Sequence, residues 1–100
     1  MSALTKHRKL YRNSIEIVNI RQSFASMMGA SFEKKYGIKP SPENFIGKYS
    51  ATFNDAVSYE TVRKWLKGLN TPNFERVCAI AIWLNMDVND FLKNAKKFKH

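Results

Sequence analysis

Apolar residues recur at three- and four-residue steps along most of the chain, the spacing that places side chains on one face of an α-helix. The stretch 58–71, SYETVRKWLKGLNT, is the clearest case. Its apolar positions form a single stripe, made of Val62, Trp65, Leu66 and Leu69. Ser58 is a suitable N-cap for this helix and Gly68 a suitable left-handed stop. We therefore predict a helix near 58–67 with an apolar back and a basic polar front.

The same periodicity predicts helices before this stretch. The segment 14–36 carries apolar residues at helical spacing and ends at Tyr36-Gly37. Ser41-Pro42 is a typical helix start, because serine caps the first turn and proline suits the first helical position. An apolar face made of Phe45, Ile46, Tyr49 and Phe53 then predicts a helix over 42–53.

Two more helices are predicted after Pro72-Asn73 and after Asp87. The inward positions of the first are Phe74, Val77, Ile80, Ala81 and Leu84, and those of the second are Val88, Phe91 and Leu92. Asn85 is suited to the left-handed residue between them. The pattern contains no convincing strand, repeat or domain linker. We predict an all-α fold, a compact bundle of about five short helices.

Length and composition narrow the class of protein. One hundred residues correspond to one domain. No apolar run approaches the ~20 residues of a transmembrane helix, and no apolar segment follows the basic N-terminus as in a secretory signal. Cys78 is the sole cysteine, which excludes an internal disulfide and a zinc cluster. We expect a cytoplasmic protein without a cofactor or metal, in which Cys78 is a small core residue.

Charge is concentrated at the two ends of the chain. The net charge is +9, but residues 15–92 hold nine basic and eight acidic side chains and are nearly neutral. The predicted domain at 14–92 thus lies between a basic N-terminal arm, 1–13, and a basic tail, 93–100. The arm contains Lys6, Arg8, Lys9 and Arg12. Cationic tails on a small domain favour a nucleic-acid partner, the alternative being a role in solubility.

Residues 41–92 resemble a helix-turn-helix DNA-binding domain of the Cro/C1 (XRE-like) repressor family. The pattern Val57-Ser58-x-x-Thr61-Val62-x-x-Trp65-Leu66-x-Gly68 is similar to the turn and recognition helix of that family, and Pro72 to Leu92 are similar to its last two helices. The resemblance implies a lambda-repressor-like fold and a sequence-specific regulator of transcription, in particular a repressor, from a bacterium, phage or plasmid. About four extra residues precede Val57, so we expect either the turn or the second helix of the motif to be longer, with Ala56 where glycine is common.

The resemblance also implies which residues contact double-stranded DNA. The N-terminal part of the recognition helix lies on base edges in the major groove. Tyr59, Glu60 and Lys64 are the candidate base readers, with lysine donating to guanine and glutamate accepting from cytosine. Thr61 and Arg63 border the groove and have mixed base and phosphate roles. Alternatively, the helix is a surface element with a solvated charged face.

Phosphate contacts are expected at helix starts and in the loop after the recognition helix. The candidates are Ser41, Asn44, Ser58, Lys67, Asn70 and Thr71. Ser41 and Ser58 have an equally simple interpretation as helix caps. The basic arm, Lys6, Arg8, Lys9 and Arg12, can follow a groove or screen phosphates non-specifically.

A protein partner is also expected. Ile82 and Trp83 lie off the inward stripe of their helix and, with Phe98, form a candidate homodimer surface. Alternatively, Trp83 covers the long N-terminal helix within one chain. An antitoxin or adaptor that binds another protein is the competing function, and general nucleic-acid binding through the tails is a third. No motif for catalysis or metal binding is present, so we expect no enzymatic activity.

Overall fold

Five α-helices make up most of the computed structural model, which describes residues 15–97. They are α1 (Ile15–Tyr36), α2 (Pro42–Phe53), α3 (Tyr59–Leu66), α4 (Phe74–Leu84) and α5 (Val88–Lys97). No strand occurs within these residues. The predicted all-α bundle of about five helices is confirmed, and α2 has the predicted bounds.

The helix ends are determined by local side chains. Three N-caps accept a hydrogen bond from a backbone N–H three residues ahead, namely the predicted caps Ser41 and Ser58 and, at the start of α4, Asn73. Asn54 and Asn85 end α2 and α4 in the left-handed conformation, with φ of 52° and 55°. Asparagine tolerates this conformation better than most residues because its short polar side chain can hydrogen-bond locally. The sequence signals for starting and stopping these helices are therefore strong.

Gly68 ends α3 at a close approach to α1. Its φ is +72°, and the N–H groups of Gly68 and Leu69 bond to the carbonyls of Trp65 and Lys64. This is the hydrogen-bond pattern of a Schellman motif. A Cβ at Gly68 would lie 3.1 Å from the Cα of Gln22 on α1. Glycine thus satisfies both the left-handed turn and the contact between the two helices.

The core is built from the first four helices around a group of aromatic rings. Its buried members are Phe24, Met28, Phe32, Phe45, Tyr49, Val62, Trp65, Ile80 and Leu84. The long helix α1 packs against α3, α4 and α5, while α2 packs against α3. Trp65 meets Phe45 and Tyr49 edge-on, with ring centroids 6.5 and 6.1 Å apart. These contacts hold the inner face of α3 against α2.

Two residues expected on inward stripes are exposed because they lie at helix ends. Leu69 falls beyond α3, where the left-handed Gly68 turns the chain away from the helical stripe, and 52% of it is exposed. Phe74 is the first residue of α4 and is 81% exposed. The apolar pattern thus continues past the end of α3 and includes the first residue of α4, and both side chains are exposed.

Three further positions correct the sequence prediction. Cys78 is exposed, not a core residue, because it follows Val77 by about 100° around α4 and so turns away from the buried side. Val88 and Leu92 on α5 are also exposed. That helix packs mainly against α1, so one neighbour covers only part of its apolar stripe.

Candidate nucleic-acid interface

Helix α3 has one buried side and one charged side. Val62 and Trp65 are buried, and both occupy the apolar face that the sequence predicted. Four charged residues, wholly or partly exposed, lie on the opposite side, namely Glu60, Arg63 and Lys64 of the helix and its C-cap Lys67. Three of these four are cations. A helix of this kind is anchored from behind and offers its polar side chains outward.

The other predicted DNA-contacting residues of α3 lie at its N-terminal end. Tyr59 is the first residue of the helix and is 51% exposed. The Ser58 hydroxyl accepts a hydrogen bond from the Thr61 N–H at 3.1 Å and donates one to Thr61 Oγ1 at 2.8 Å. Ser58 is therefore a helix cap whose hydroxyl proton is already engaged. The Thr61 hydroxyl accepts this bond and keeps its own proton for donation.

Glu60 and Arg63 form an ion pair on the exposed side of α3. Glu60 Oε1 accepts from Arg63 Nε at 2.8 Å, and Oε2 accepts from Nη2 at 2.7 Å. These hydrogen bonds lower the pKa of Glu60 from its ordinary value and raise that of Arg63. The two residues predicted to contact DNA separately are thus bound to each other.

The predicted phosphate contacts of α2 lie at its first turn. Ser41 Oγ accepts from the Asn44 N–H at 3.2 Å, so its role as a cap is observed. The Asn44 side-chain amide donates to the Lys39 carbonyl at 2.9 Å. Beyond α3, the other phosphate candidates Lys67, Asn70 and Thr71 are all exposed.

The turn between α2 and α3 is held by a carboxylate that the sequence interpretation did not single out. Asp55 lies one residue after Asn54, the left-handed residue that ends α2. Its Oδ2 accepts from the Tyr49 hydroxyl at 2.5 Å. Its backbone carbonyl accepts from Ser50 Oγ at 3.3 Å. The longer turn is therefore bound to the last two turns of α2.

Arg76 connects the same carboxylate to α4. It donates to Asp55 from Nε at 2.9 Å and from Nη2 at 3.2 Å, and its guanidinium lies 5.8 Å from the centre of the Trp65 ring. Arg76 is the sole basic residue of α4, and Asp55 is the sole acidic residue between Glu43 and Glu60. The two residues are 21 positions apart, so their contact depends on how α4 packs beside the turn.

The hydrogen-bonded group of Asp55, Arg76 and Tyr49, the turn network, has pKa values shifted in opposite directions. Hydrogen bonds from Arg76 and then Tyr49 lower the pKa of Asp55. Burial, followed by the hydrogen bond to Asp55, raises the pKa of Tyr49 to about 12. At neutral pH the turn therefore holds a carboxylate, a guanidinium and a neutral phenol.

The candidate homodimer residues have different environments. Ile82 is 82% exposed. Trp83 is partly buried, and its Nε1–H donates to the Tyr36 hydroxyl at 2.9 Å. Its ring also packs among those of Phe45 and Phe53, at 5.5 and 5.7 Å. Trp83 thus covers α1 within the chain, the alternative that the sequence left open, and Ile82 remains on the surface.

Some predicted contacts lie outside the residues that the structure describes. These are the basic arm, Lys6, Arg8, Lys9 and Arg12, and the dimer candidate Phe98. Within residues 15–97, no helix is long and apolar enough to cross a membrane. The same residues contain no group of three or more His, Cys, Asp or Glu side chains suited to a metal ion.

Comparison with protein-family profiles, with curated proteins and with solved structures finds no match to the chain.

Proposed function

We propose that this protein is a sequence-specific double-stranded DNA-binding regulator of transcription, a repressor of bacterial, phage or plasmid origin, that acts in the cytoplasm. The observation that carries the proposal is the outward face of α3, where Glu60, Arg63, Lys64 and Lys67 project from a helix anchored by Trp65. Such a helix fits the major groove, which admits an α-helix and presents a distinct pattern of donors and acceptors for each base pair.

The arrangement of α2 and α3 also supports a helix-turn-helix role. In that motif the first helix crosses the DNA backbone while the second enters the groove. The N-terminus of α2, with Ser41, Asn44 and the exposed Lys39 nearby, offers polar and cationic groups for phosphate contacts. The turn network of Asp55 and Arg76 would keep α3 at a constant angle to α2, as recognition of a fixed groove requires.

The proposal is tested by selecting binding sites from random duplexes. We expect enrichment of one sequence, with Lys64→Ala losing about ten- to a hundredfold in affinity for it and much less for random DNA. The matched control is Lys34→Ala, which removes the same charge from the last turn of α1. Failure to enrich any sequence, at a salt concentration where binding persists, would contradict sequence-specific recognition.

The basic arm is proposed to supply non-specific affinity. Replacing Lys6, Arg8, Lys9 and Arg12 with glutamine should weaken binding and reduce the dependence of log K on log salt. Each lost phosphate contact lowers the slope by ~0.9. The preferred sequence should be unchanged. Complete loss of binding together with the absence of any preferred sequence would instead favour general nucleic-acid binding through the tails.

We further propose that the regulator is a homodimer in which Ile82 contributes to the contact. Two copies would place two recognition helices on half-sites about one helical turn apart. Analytical ultracentrifugation of the wild type and of Ile82→Glu, with and without the selected duplex, tests this. A two-to-one complex that Ile82→Glu reduces to one-to-one is expected, whereas a wild-type one-to-one complex on an asymmetric site would refute the dimer.

The exposed apolar residues favour one second candidate function. Phe74 and Ile82 stand out from α4 with more than four-fifths of their surface exposed. An antitoxin or adaptor would present such residues to another protein. Partner capture that Ile82→Glu abolishes and Lys64→Ala leaves intact would support this function.

A further inference from the structure

We infer that Arg63 recognises a guanine base through the end of its guanidinium, and that Glu60 is a positioning residue for Arg63, not a reader of cytosine. This inference rests on the proposed binding of DNA by α3. It assigns guanine as the ligand of Arg63 and makes Glu60 a positioning residue instead of a base reader. The geometry of the ion pair on the exposed side of the helix carries it.

The ion pair occupies only one edge of the guanidinium. Glu60 accepts from Nε and from Nη2, the two nitrogens along the side edge of Arg63. A guanidinium has five N–H donors in a rigid plane. One N–H on Nη2 and both on Nη1 therefore remain, and among the side chains that the structure describes none bonds to Nη1. The ion pair leaves the end edge, with one N–H from each of these nitrogens, for a ligand to use.

The available edge has the geometry that a guanine requires. Two parallel N–H groups match the neighbouring acceptors O6 and N7, which guanine presents in the major groove. No other base presents two acceptors side by side there, because adenine places an amino donor beside N7. An arginine that offers this edge to the groove therefore prefers guanine to the other three bases.

Glu60 is placed to fix the plane of the Arg63 guanidinium through its side edge. It lies in the first turn of α3, where the helix dipole favours a carboxylate, and Arg63 follows three residues later on the same face. About one-third of the Arg63 side chain is exposed, compared with more than half of that of Glu60. Arginine bound in advance loses less conformational freedom when it meets the base.

A cytosine-reading role for Glu60 is less favourable. To accept from a cytosine amino group, its carboxylate would have to give up charge-assisted hydrogen bonds of 2.7 and 2.8 Å. It would also approach the phosphates as an uncompensated negative charge. When it is paired with Arg63, the charge of the Glu60 carboxylate is compensated by the guanidinium, and the carboxylate needs no hydrogen-bond donor from the DNA.

The test is site selection with the full-length wild type and with Arg63→Ala, Arg63→Lys and Glu60→Gln. We expect a guanine in the wild-type site whose preference falls about ten- to a hundredfold in Arg63→Ala. Arg63→Lys should restore affinity in part but little of the preference, because an ammonium lacks the two parallel donors. Glu60→Gln should weaken the same guanine preference without changing the preference at any cytosine.

A double-mutant comparison separates positioning from direct reading. Glu60→Gln should have no effect on base preference when Arg63 is already alanine. A Glu60→Gln effect at a cytosine that persists in the Arg63→Ala background would overturn the inference. The inference would also be overturned if Arg63→Ala selected the same site as the wild type. In that case the proposed recognition of DNA by α3 would still be supported. If the wild type selects no site, both the inference and the proposed function fail.

Far-UV circular dichroism and thermal unfolding provide the control for folding. Both side chains lie on the exposed side of α3, so all three single variants should retain the wild-type helix content. If Glu60→Gln loses helix content and Arg63→Ala does not, the carboxylate stabilises the first turn of α3. If Glu60→Gln also keeps the wild-type preference for guanine, Glu60 does not position Arg63.

Discussion

Arg76 on α4 donates two hydrogen bonds to the carboxylate of Asp55, across a separation of 21 residues. Asp55 also accepts the Tyr49 hydroxyl, and Arg76 lies beside the Trp65 ring. The ion pair therefore connects the turn before α3 to the start of α4. Through Tyr49 it also reaches the end of α2, and through Trp65 it reaches the core side of α3. The orientation of α3 depends on contacts that α2 and α3 do not make by themselves.

The Asp55 ion pair should make stability depend on pH in the acid range. The pKa of Asp55 is lowered from 3.8. The pair's contribution is thus complete above that unfolded-state value and is lost as the pH falls through the lower folded-state value. Asp55→Asn should unfold more easily in urea than the wild type near neutral pH, and this difference should shrink as the pH falls below 3.8. Glu33→Gln, which removes an exposed carboxylate from α1, is the control and should show no such difference near neutral pH.

Removing the Tyr49 hydroxyl should destabilise the folded state. Tyr49→Phe keeps the buried ring but leaves Asp55 without its 2.5 Å hydrogen bond. A hydrogen bond to a charged group contributes ~1.5–3 kcal/mol, so a loss near the lower figure is expected in the free energy of urea unfolding. Tyr59→Phe removes a hydroxyl from an exposed ring and should change that free energy little. Equal losses in both variants would contradict a specific role for the turn network.

Three glycine-to-alanine substitutions separate backbone conformation from close packing. Gly37 and Gly68 have φ of +69° and +72°, but a Cβ at Gly37 meets nothing within 4 Å, whereas one at Gly68 meets Gln22. Gly37→Ala should cost ~1–2 kcal/mol for the left-handed conformation, and Gly68→Ala should cost more. Gly47 lies in open space within α2, so alanine there should stabilise the protein by ~0.5–1 kcal/mol. Thermal or urea unfolding gives all three values, and equal costs at Gly37 and Gly68 would rule out the close approach of α1 to α3.

Substitutions at the neighbouring residues Ile82 and Trp83 should have very different effects on the free energy of unfolding. Ile82→Ser alters an exposed side chain and should change the free energy of unfolding by less than ~0.5 kcal/mol. Trp83→Ala removes a ring packed among other aromatic rings and leaves the Tyr36 hydroxyl without its donor, so a loss of ~3 kcal/mol is expected. Urea unfolding of the monomer at low protein concentration measures both. A large loss for Ile82→Ser under those conditions would show that Ile82 is buried in the folded chain.

Much of the fold was predictable because the signals for it are local. The bounds of α2 follow from Ser41-Pro42 and from the residues that precede Asn54. Ser58 and Gly68 likewise delimit α3. In each case the hydrogen-bonding groups and the allowed backbone conformation belong to residues within a few positions of the helix end. The pattern is wrong at Leu69, which lies beyond α3, at Phe74, which is the first residue of α4, and at Cys78, which lies too far around α4 to be buried.

The candidate site was predictable only in part. The stripe of Val62 and Trp65 identified which side of α3 faces inward, and hence that Glu60, Arg63 and Lys64 face outward. The sequence did not indicate that Glu60 and Arg63 bind each other, since spacing permits a salt bridge without requiring it. Nor did it indicate which of Ile82 and Trp83 is covered, because that depends on whether the Tyr36 hydroxyl lies within reach.

The sequence by itself determined the number and ends of the helices and the basic outer face of α3, because caps, left-handed residues and apolar spacing act over one or two turns. The tertiary structure alone decided how α3 is held. The contact between Asp55 and Arg76 and the approach of Gly68 to Gln22 join residues far apart in the chain, and side chains of opposite charge meet only when the packing of four helices brings them together.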